Sequence, residues 1–390
     1  MNVVDFSPEL QGEWDAFVAR HPHAAYGHLS AQFGVAAETP GLRNVSLLVR
    51  DHRAVIAVLP LFVRERHALR VVRVRELTSG GIFPGGPLIS PTLQGKAATA
   101  VLDVLLNTVA ARAEVLKVDD VVITHPHVVG AQPSIVRFGY SPLLHYGYAA
   151  RTGVGLLLDL SCSPDKLATG RRSGCRQSIN KAYASGATVA IMADRAQWLA
   201  CHELNVQTLG HLAYSERQMA AIWDGFIAAG HATAHATYVD GRVAAVTVTV
   251  HFNKSAYYWI GLNRRPLPLP GAGHLALWTA ILHAQSQGCG HFELGSLDFE
   301  NPKNQGISQF KQSFGGSAHQ IVSAGFSVRP VRAAALALGE AIVAAARERG
   351  SPQPSAGPRR SKDPEPESSR SFSSVETQSH SDQAQHVRST

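Results

Sequence analysis

The sequence predicts an α/β (α+β) protein, and three observations carry that reading. β-rich runs and segments of helical periodicity interleave along the chain. With 390 residues and 45% hydrophobic composition, there is enough apolar side chain for the cores of two or three domains. That apolar content excludes a disordered or fibrous chain, and with charged residues at only 17% no apolar run approaches the roughly 18 residues that a membrane span requires.

Taken in order, Pro8 to Arg20 reads as a helix. Val45 to Arg50 and Ala54 to Val63 are β-rich runs flanking Asp51-His52-Arg53, the pattern of a hairpin, and Arg70 to Leu77 continues the sheet. The glycine-rich segment Gly80 to Pro87 interrupts it as a long loop. Gly95 to Glu114 has helical periodicity and Asp120 to Thr124 is a short buried-strand run. These elements make up a first domain, residues 1–155. A second, residues 156–330, starts near the strand Val154 to Leu160. Ser163 or Asp165 caps a helix that runs past Arg176 towards Ala184, and Ser185-Gly186 stops it. Ala187 to Met192 is a strand, Gln197 to Leu212 and Glu216 to Ala229 are helices, and Thr233 to Val239 is a strand. The turn Asp240-Gly241 leads into Arg242 to Phe252, and Asn253-Lys254 into Ala256 to Gly261, giving an antiparallel meander. Gly271 to Gln287 is a helix ended by Gly288, and His291 to Gly295 a short strand. A terminal helix covers residues 331–349. Residues 350–390 are read as a disordered tail, because from Ser351 onward there is no Leu, Ile, Met, Trp or Tyr to bury.

The formal net charge is +7, and the tail from Ser351 holds five basic and five acidic residues, so the folded body keeps the excess. That balance suits an anionic substrate, a nucleic acid or an anionic membrane surface without choosing among them. Its placement is more informative. Between Lys166 and Met192 stand Lys166, Arg171, Arg172, Arg176 and Lys181 and no acid. Cys162, Cys175, Cys201 and Cys289 form no C-x-x-C pair, which disfavours a disulfide framework or zinc knuckle and reads as reduced thiols. The first residues, with Asp5 and no basic start before an apolar stretch, show no secretory signal, so the expected compartment is the cytoplasm.

The order of helices, antiparallel meander, helix and strand resembles an N-acetyltransferase core of the GNAT type. Three separated segments sharpen this: Gly170 to Ala182, Tyr257 to Gly261 with the helix Leu275 to Ile281, and Phe292 to Ser296 followed by Gly306 to Gly315. Together they resemble the FemAB-like branch of acyltransferases, relatives of the peptidyltransferases that add amino acids to peptidoglycan precursors. The resemblance implies two GNAT-like domains in tandem with a cleft between them, transfer of an acyl group to an amine, and no metal. It implies acyl-CoA or aminoacyl-tRNA as co-substrate and no tightly bound cofactor. The expected partners are an anionic small-molecule or lipid-linked substrate, with tRNA and peripheral membrane contact compatible and DNA not expected.

The residues themselves suggest where the chemistry sits. Arg172, Arg176 and Asn180 recur every four residues, so a helix would line them up where arginine can bind phosphate or carboxylate; a solvated helix face is the plainer reading. Lys311 lies between Phe310 and Phe314, which can frame one ammonium or merely pack beside it, and the matching family lysine helps bind a substrate phosphate. Tyr257, Tyr258 and Trp259 alternate along a strand, so Tyr258 or Trp259 can line a pocket while others pack in the core. Gly271 and Gly273 open a helix whose amides favour an anion, although Arg265 stands too far from them for the usual GNAT pyrophosphate loop and a Gly-Pro helix entry with no ligand is the plainer reading. Glu293, Asp298, Glu300 and His274 are candidate bases, each equally readable as a cap, turn or surface charge. His125 and His127 read as a turn rather than a metal site. The expected function is acyl or aminoacyl transfer to an amine of a phosphate-bearing cell-envelope or polysaccharide precursor. The alternatives are an acyl-CoA-dependent N-acetyltransferase of small molecules and a non-catalytic scaffold with a transferase fold.

Overall fold

The hairpin at Asp51-His52-Arg53 is the first landmark of the structure, a computed structural model that describes residues 1–69, 71–125, 142–264, 269–299 and 301–350. The tail from Ser351, together with His127, Arg265 and Glu300, lies outside the described residues. The first half contains β1 (Asn2–Asp5), α1 (Gln11–Arg20), α2 (Ala31–Ala37), β2 (Leu42–Asn44), β3 (Leu47–Asp51), β4 (Ala54–Leu59), β5 (Phe62–Ala68), β6 (Val72–Thr78), β7 (Leu88–Ile89), α3 (Gly95–Val115) and β8 (Asp120–Thr124). The second contains β9 (Ala149–Asp159), α4 (Pro164–Thr169), α5 (Ser173–Ala184), β10 (Thr188–Ile191), α6 (Arg195–Ala200), α7 (His202–Leu209), α8 (Glu216–Ile222), β11 (Ala232–Val239), β12 (Arg242–Phe252), β13 (Ser255–Asn263), α9 (Ala272–Ser286), β14 (His291–Leu297), α10 (Pro302–Gln312), β15 (Ser317–Ser327) and α11 (Pro330–Gly350).

Three runs that the sequence presents as single elements are divided. Pro60, which has no N–H to give a ladder, separates β4 from β5 and sends them into different sheets. The helix capped by Ser163, whose hydroxyl accepts the Lys166 N–H, ends at Gly170, and extended Arg172 restarts it as α5. Gln197 to Leu212 breaks at Cys201 between α6 and α7.

One sheet of four strands has the order β1-β3-β4-β7; the other has eleven, in the order β10-β11-β12-β13-β14-β9-β15-β8-β6-β5-β2. All its pairs are antiparallel except β13–β14 and β6–β8. Each parallel pair is bridged by a helix, α9 in one half and α3 in the other, so the crossover unit occurs twice. The sheet passes without a break through the expected boundary at residues 155 and 156, which falls within β9. β15 pairs with β9 through Ser317–Gly325 and with β8 through Ser323–Ser327, and so joins the halves.

Apolar side chains alternate to both faces of β12, with Ala245 in one core and Val246, Val248 and Val250 in another. The first core lies under α5 and α9 and contains Trp278, Phe292 and Phe314. The second contains Tyr26, Phe83, Trp198 and Phe226. Complete burial of one such side chain contributes about 1.5–3 kcal/mol, so these two layers fix where β13 and β14 run.

Candidate active site

The parallel ladder between β13 and β14 runs only from Ser255 opposite His291 to Tyr257 opposite Glu293. Beyond it, β13 stays paired with β12 to Asn263 and β14 with β9 to Leu297, so the two strands part at Tyr257 and Glu293. Next to this point, β14 bulges against β9 between Glu293 and Gly295, where Gly295 adopts φ +78.

Glu293 is 3% exposed, and its Oε2 accepts a hydrogen bond from the Tyr26 hydroxyl at 2.6 Å. The Tyr26 ring stacks on Tyr257 at 4.8 Å between centroids, with Phe83 edge-on to both. Lys311, near the end of α10, donates from Nζ to the Ser296 carbonyl at 2.9 Å. A methyl on Gly295 would lie 3.3 Å from Lys311 Nζ and 3.4 Å from the Tyr257 hydroxyl, so bare Gly295 lets ammonium and phenol approach one another. A carboxylate, two phenols and an ammonium therefore converge where the sheet opens. Burial pushes both phenols above their ordinary range, and the Glu293 charge adds to that effect. Burial lowers the Lys311 ammonium below its ordinary value, and Glu293 partly offsets the shift.

Tyr26 comes from a 3-10 turn, Tyr26–His28, held on several sides. The Gly80 to Pro87 loop closes on it so tightly that a Cβ on Gly27 would sit 1.8 Å from the Pro84 carbonyl oxygen. Trp14 Nε1 donates to the His28 carbonyl at 2.7 Å, and the Gln32 side-chain amide donates to the Gly27 carbonyl. His28 Nδ1 accepts the Ala25 N–H at 3.0 Å, while its Nε2 lies 3.0 Å from the Gly86 carbonyl. The glycine-rich loop thus holds Tyr26 in place.

The other expected site residues are placed as follows. The Arg172 backbone N–H donates to the Ser313 carbonyl at 2.9 Å, tying the loop before α5 to the segment after α10, and its side chain is exposed. Arg176 folds back on the carbonyls of Thr169 and Arg171, and Arg171 stacks over Trp278 at 3.8 Å. The Asp298 carboxylate accepts the Asn301 N–H at 3.1 Å and the Asn304 amide at 2.7 Å, at the start of α10. His274 stacks on Phe314 and meets Phe310 edge-on. Tyr258 packs in the first core near Phe310, while Trp259 contacts Phe83 and Phe226 in the second. Gly271, at φ +96, leaves room for the Ser178 carbonyl, which a Cβ would meet at 2.1 Å, and Gly273 does the same for the Asn263 amide. Of the expected residues that are described, Glu293 and Lys311 meet at the strand opening; Tyr26 and Tyr257 complete it. His125 is buried beside Gly86. Among the described residues no group of three His, Cys, Asp or Glu side chains is placed to hold a metal ion, and no helix is long and apolar enough to cross a membrane.

This geometry can be set beside known proteins. Residues 169–312 match the family described as acetyltransferase (GNAT) domain. The structure superposes on that of FemX with a TM-score of 0.62 at 14% identity, covering 85% of this chain and 98% of that one. The C-terminal domain of a putative lysylphosphatidylglycerol synthetase from Agrobacterium fabrum gives 0.52 at 16% identity, covering 86% and 96%. L-PGS from Bacillus licheniformis gives 0.51 at 10%, covering 87% and 97%. No curated protein matches in sequence. At these identities the structural likeness establishes the fold alone, while the domain match likens residues 169–312 to a GNAT acetyltransferase domain. Over most of its length this chain shares its fold with FemX.

Proposed function

We propose that the protein transfers an acyl or aminoacyl group to an amine of a phosphate-bearing cell-envelope or polysaccharide precursor. The observation that carries the reading is the meeting of Glu293, Tyr26 and Lys311 at the parting of β13 and β14. In this reading the acceptor amine attacks the activated carbonyl, forming the C–N bond. Glu293 takes the proton that the amine loses, and the donor's thiolate or ribose oxygen departs with the electron pair of the broken bond. Tyr26 holds the carboxylate by its hydrogen bond, and Lys311 pairs with the acceptor phosphate. The fold shared with a protein named as a putative lysylphosphatidylglycerol synthetase supports a phosphate-bearing acceptor. The GNAT domain match favours acyl-CoA as donor, while the FemX-like fold keeps aminoacyl-tRNA in the test.

The experiment offers purified full-length protein labelled acyl-CoAs and aminoacyl-tRNAs with amine acceptors, each with and without a phosphate. Transfer to the phosphorylated acceptor is expected to be faster. Lys311→Ala should raise KM for that acceptor alone, and Glu293→Gln should lower kcat for both. An unchanged KM in Lys311→Ala would remove the phosphate contact and leave the acyl transfer standing.

A further inference from the structure

From Glu293 the eleven-stranded sheet continues as a face that the candidate active site does not use. Residues opposite one another in an antiparallel pair share a face, as do residues two apart along a strand. Glu293 stands opposite Leu157 of β9 and, past the bulge, Ser296 stands opposite Gly155. On the other side of β9, β15 sets His319 opposite Gly155, Ile321 opposite Gly153 and Ser323 opposite Arg151. One face therefore runs along β9 from the carboxylate to Arg151, which lies about 20 Å beyond Leu157 at the usual rise of a strand.

Two glycines keep this face low. A Cβ on Gly155 would lie 2.5 Å from His319 Cε1, so the imidazole fills the place of the missing side chain and forms part of the floor. Gly153 is exposed, and a Cβ there would meet Ile321 Cβ at an ordinary 3.6 Å. At the far end Gly325, opposite Ala149, is on the same face, and a Cβ on it would lie 3.4 Å from Arg151 Cζ, so the guanidinium lies across β15. Arg151 is exposed, and no ion pair among the described residues engages it. Asp120, on β8 opposite Ser327, accepts the Ser327 hydroxyl at 2.7 Å.

A second copy of this chain would gain little here. Protein interfaces centre on large apolar and aromatic side chains, and between Ser296 and Arg151 this face offers Ile321 as its one large aliphatic. A narrow polar chain fits better, because it can lie over glycine, serine and imidazole without displacing a side chain and can bring an anion to the free guanidinium. The face is also continuous with the carboxylate at the strand opening. On the reading that Glu293 receives the acceptor amine, we propose that the acceptor is an extended polar chain lying along β9, with a carboxylate or phosphate about 20 Å from its amine that Arg151 binds.

The test is calorimetric binding of Gly-Ser peptides to the full-length protein with no acyl donor present. The peptides run from three to eight residues, each ending in a carboxylate, a phosphonate or an amide. At about 3.4 Å per residue, an extended chain of about six residues spans the face. Wild-type affinity is expected to rise with length up to that point, and a charged end to bind up to about fivefold tighter than the amide, as an exposed arginine pair allows. Preference for either anion supports the proposal and identifies the group. Arg151→Gln should erase the difference between charged and amide ends. Gly153→Val has room in the fold but raises the floor, and should weaken the six-residue peptides to the level of the three-residue ones, with circular dichroism confirming that both variants fold. No binding, an amide that binds as well as the charged ends, a difference that survives Arg151→Gln, or a folded Gly153→Val without effect would overturn the proposal. Binding needs no turnover, so its failure leaves the proposed transfer standing, while a peptide that binds as described and is never acylated would count against the transfer alone.

Discussion

Removing one oxygen atom tests the site most directly. Tyr26→Phe deletes the hydroxyl that donates to Glu293 at 2.6 Å but keeps the ring that stacks on Tyr257 and meets Phe83. Packing is therefore preserved, and the loss is one hydrogen bond to a buried carboxylate, about 1.5–3 kcal/mol. Where that bond holds Glu293 in its reactive position, the same energy appears in the barrier as a fall in kcat of roughly 10- to 150-fold. Glu293→Gln keeps an oxygen for Tyr26 to donate to but cannot take a proton, and should cost about 10²–10⁴-fold. Once Glu293→Gln has removed the carboxylate, deleting the Tyr26 hydroxyl takes away nothing that positions a base, so the two losses should fall well short of additive in the double variant. The assay is steady-state transfer to the acceptor found in the screen, with urea melts of all four proteins to separate stability from rate. Full additivity, or a Tyr26→Phe enzyme with wild-type kcat, would refute the positioning argument.

Three further outcomes follow from the structure. Burial holds His28, His125 and His251 to about 4 and His235 to about 3, against an ordinary value near 6.5. The unfolded chain therefore binds protons that the native state refuses, so stability is full above about pH 6.5 and falls as the pH drops towards 4. The limiting slope is about 1.4 kcal/mol per pH unit for each histidine, giving roughly 4–5 kcal/mol per unit from urea melts between pH 6 and 5; a flat profile would contradict it. Gly27→Ala places a methyl 1.8 Å from the Pro84 carbonyl and should cost at least about 1–3 kcal/mol in thermal melts, with kcat falling because Tyr26 moves with its turn. Gly271→Ala, strained at φ +96 and facing the Ser178 carbonyl, should lower the melting temperature by packing α5 worse against α9, with KM for acyl-CoA unchanged in the variant that remains folded.

How much of this was legible in the sequence depended on the range of the interaction. Helical and strand periods are local, and α3, α9 and the meander β11-β12-β13 stand where their patterns indicated. β15 gave no such signal: Ser317–Ser327 mixes small, polar and apolar residues, because it lies between β9 and β8 and takes its stability from two ladders. The site divides in the same way. Lys311 was visible because Phe310 and Phe314 bracket it, and Glu293 only as one of four candidate bases beside Asp298, Glu300 and His274. Spacing could not separate Glu293 from Asp298, since a carboxylate that gathers the first turn of a helix and one that faces an opening look alike until the chain folds. Arg176 shows the same limit at shorter range. A continuous helix would have presented it beside Arg172, but the break at Gly170 exposes carbonyls within reach of its guanidinium, and it turns back to them. Tyr26 was invisible for the opposite reason, since its partner lies 267 residues away and only the folded topology brings them together. Its one local trace is glycine, at Gly27 and in the loop from Gly80, marking a close approach of two backbones whose purpose is to fix a hydroxyl on a distant acid.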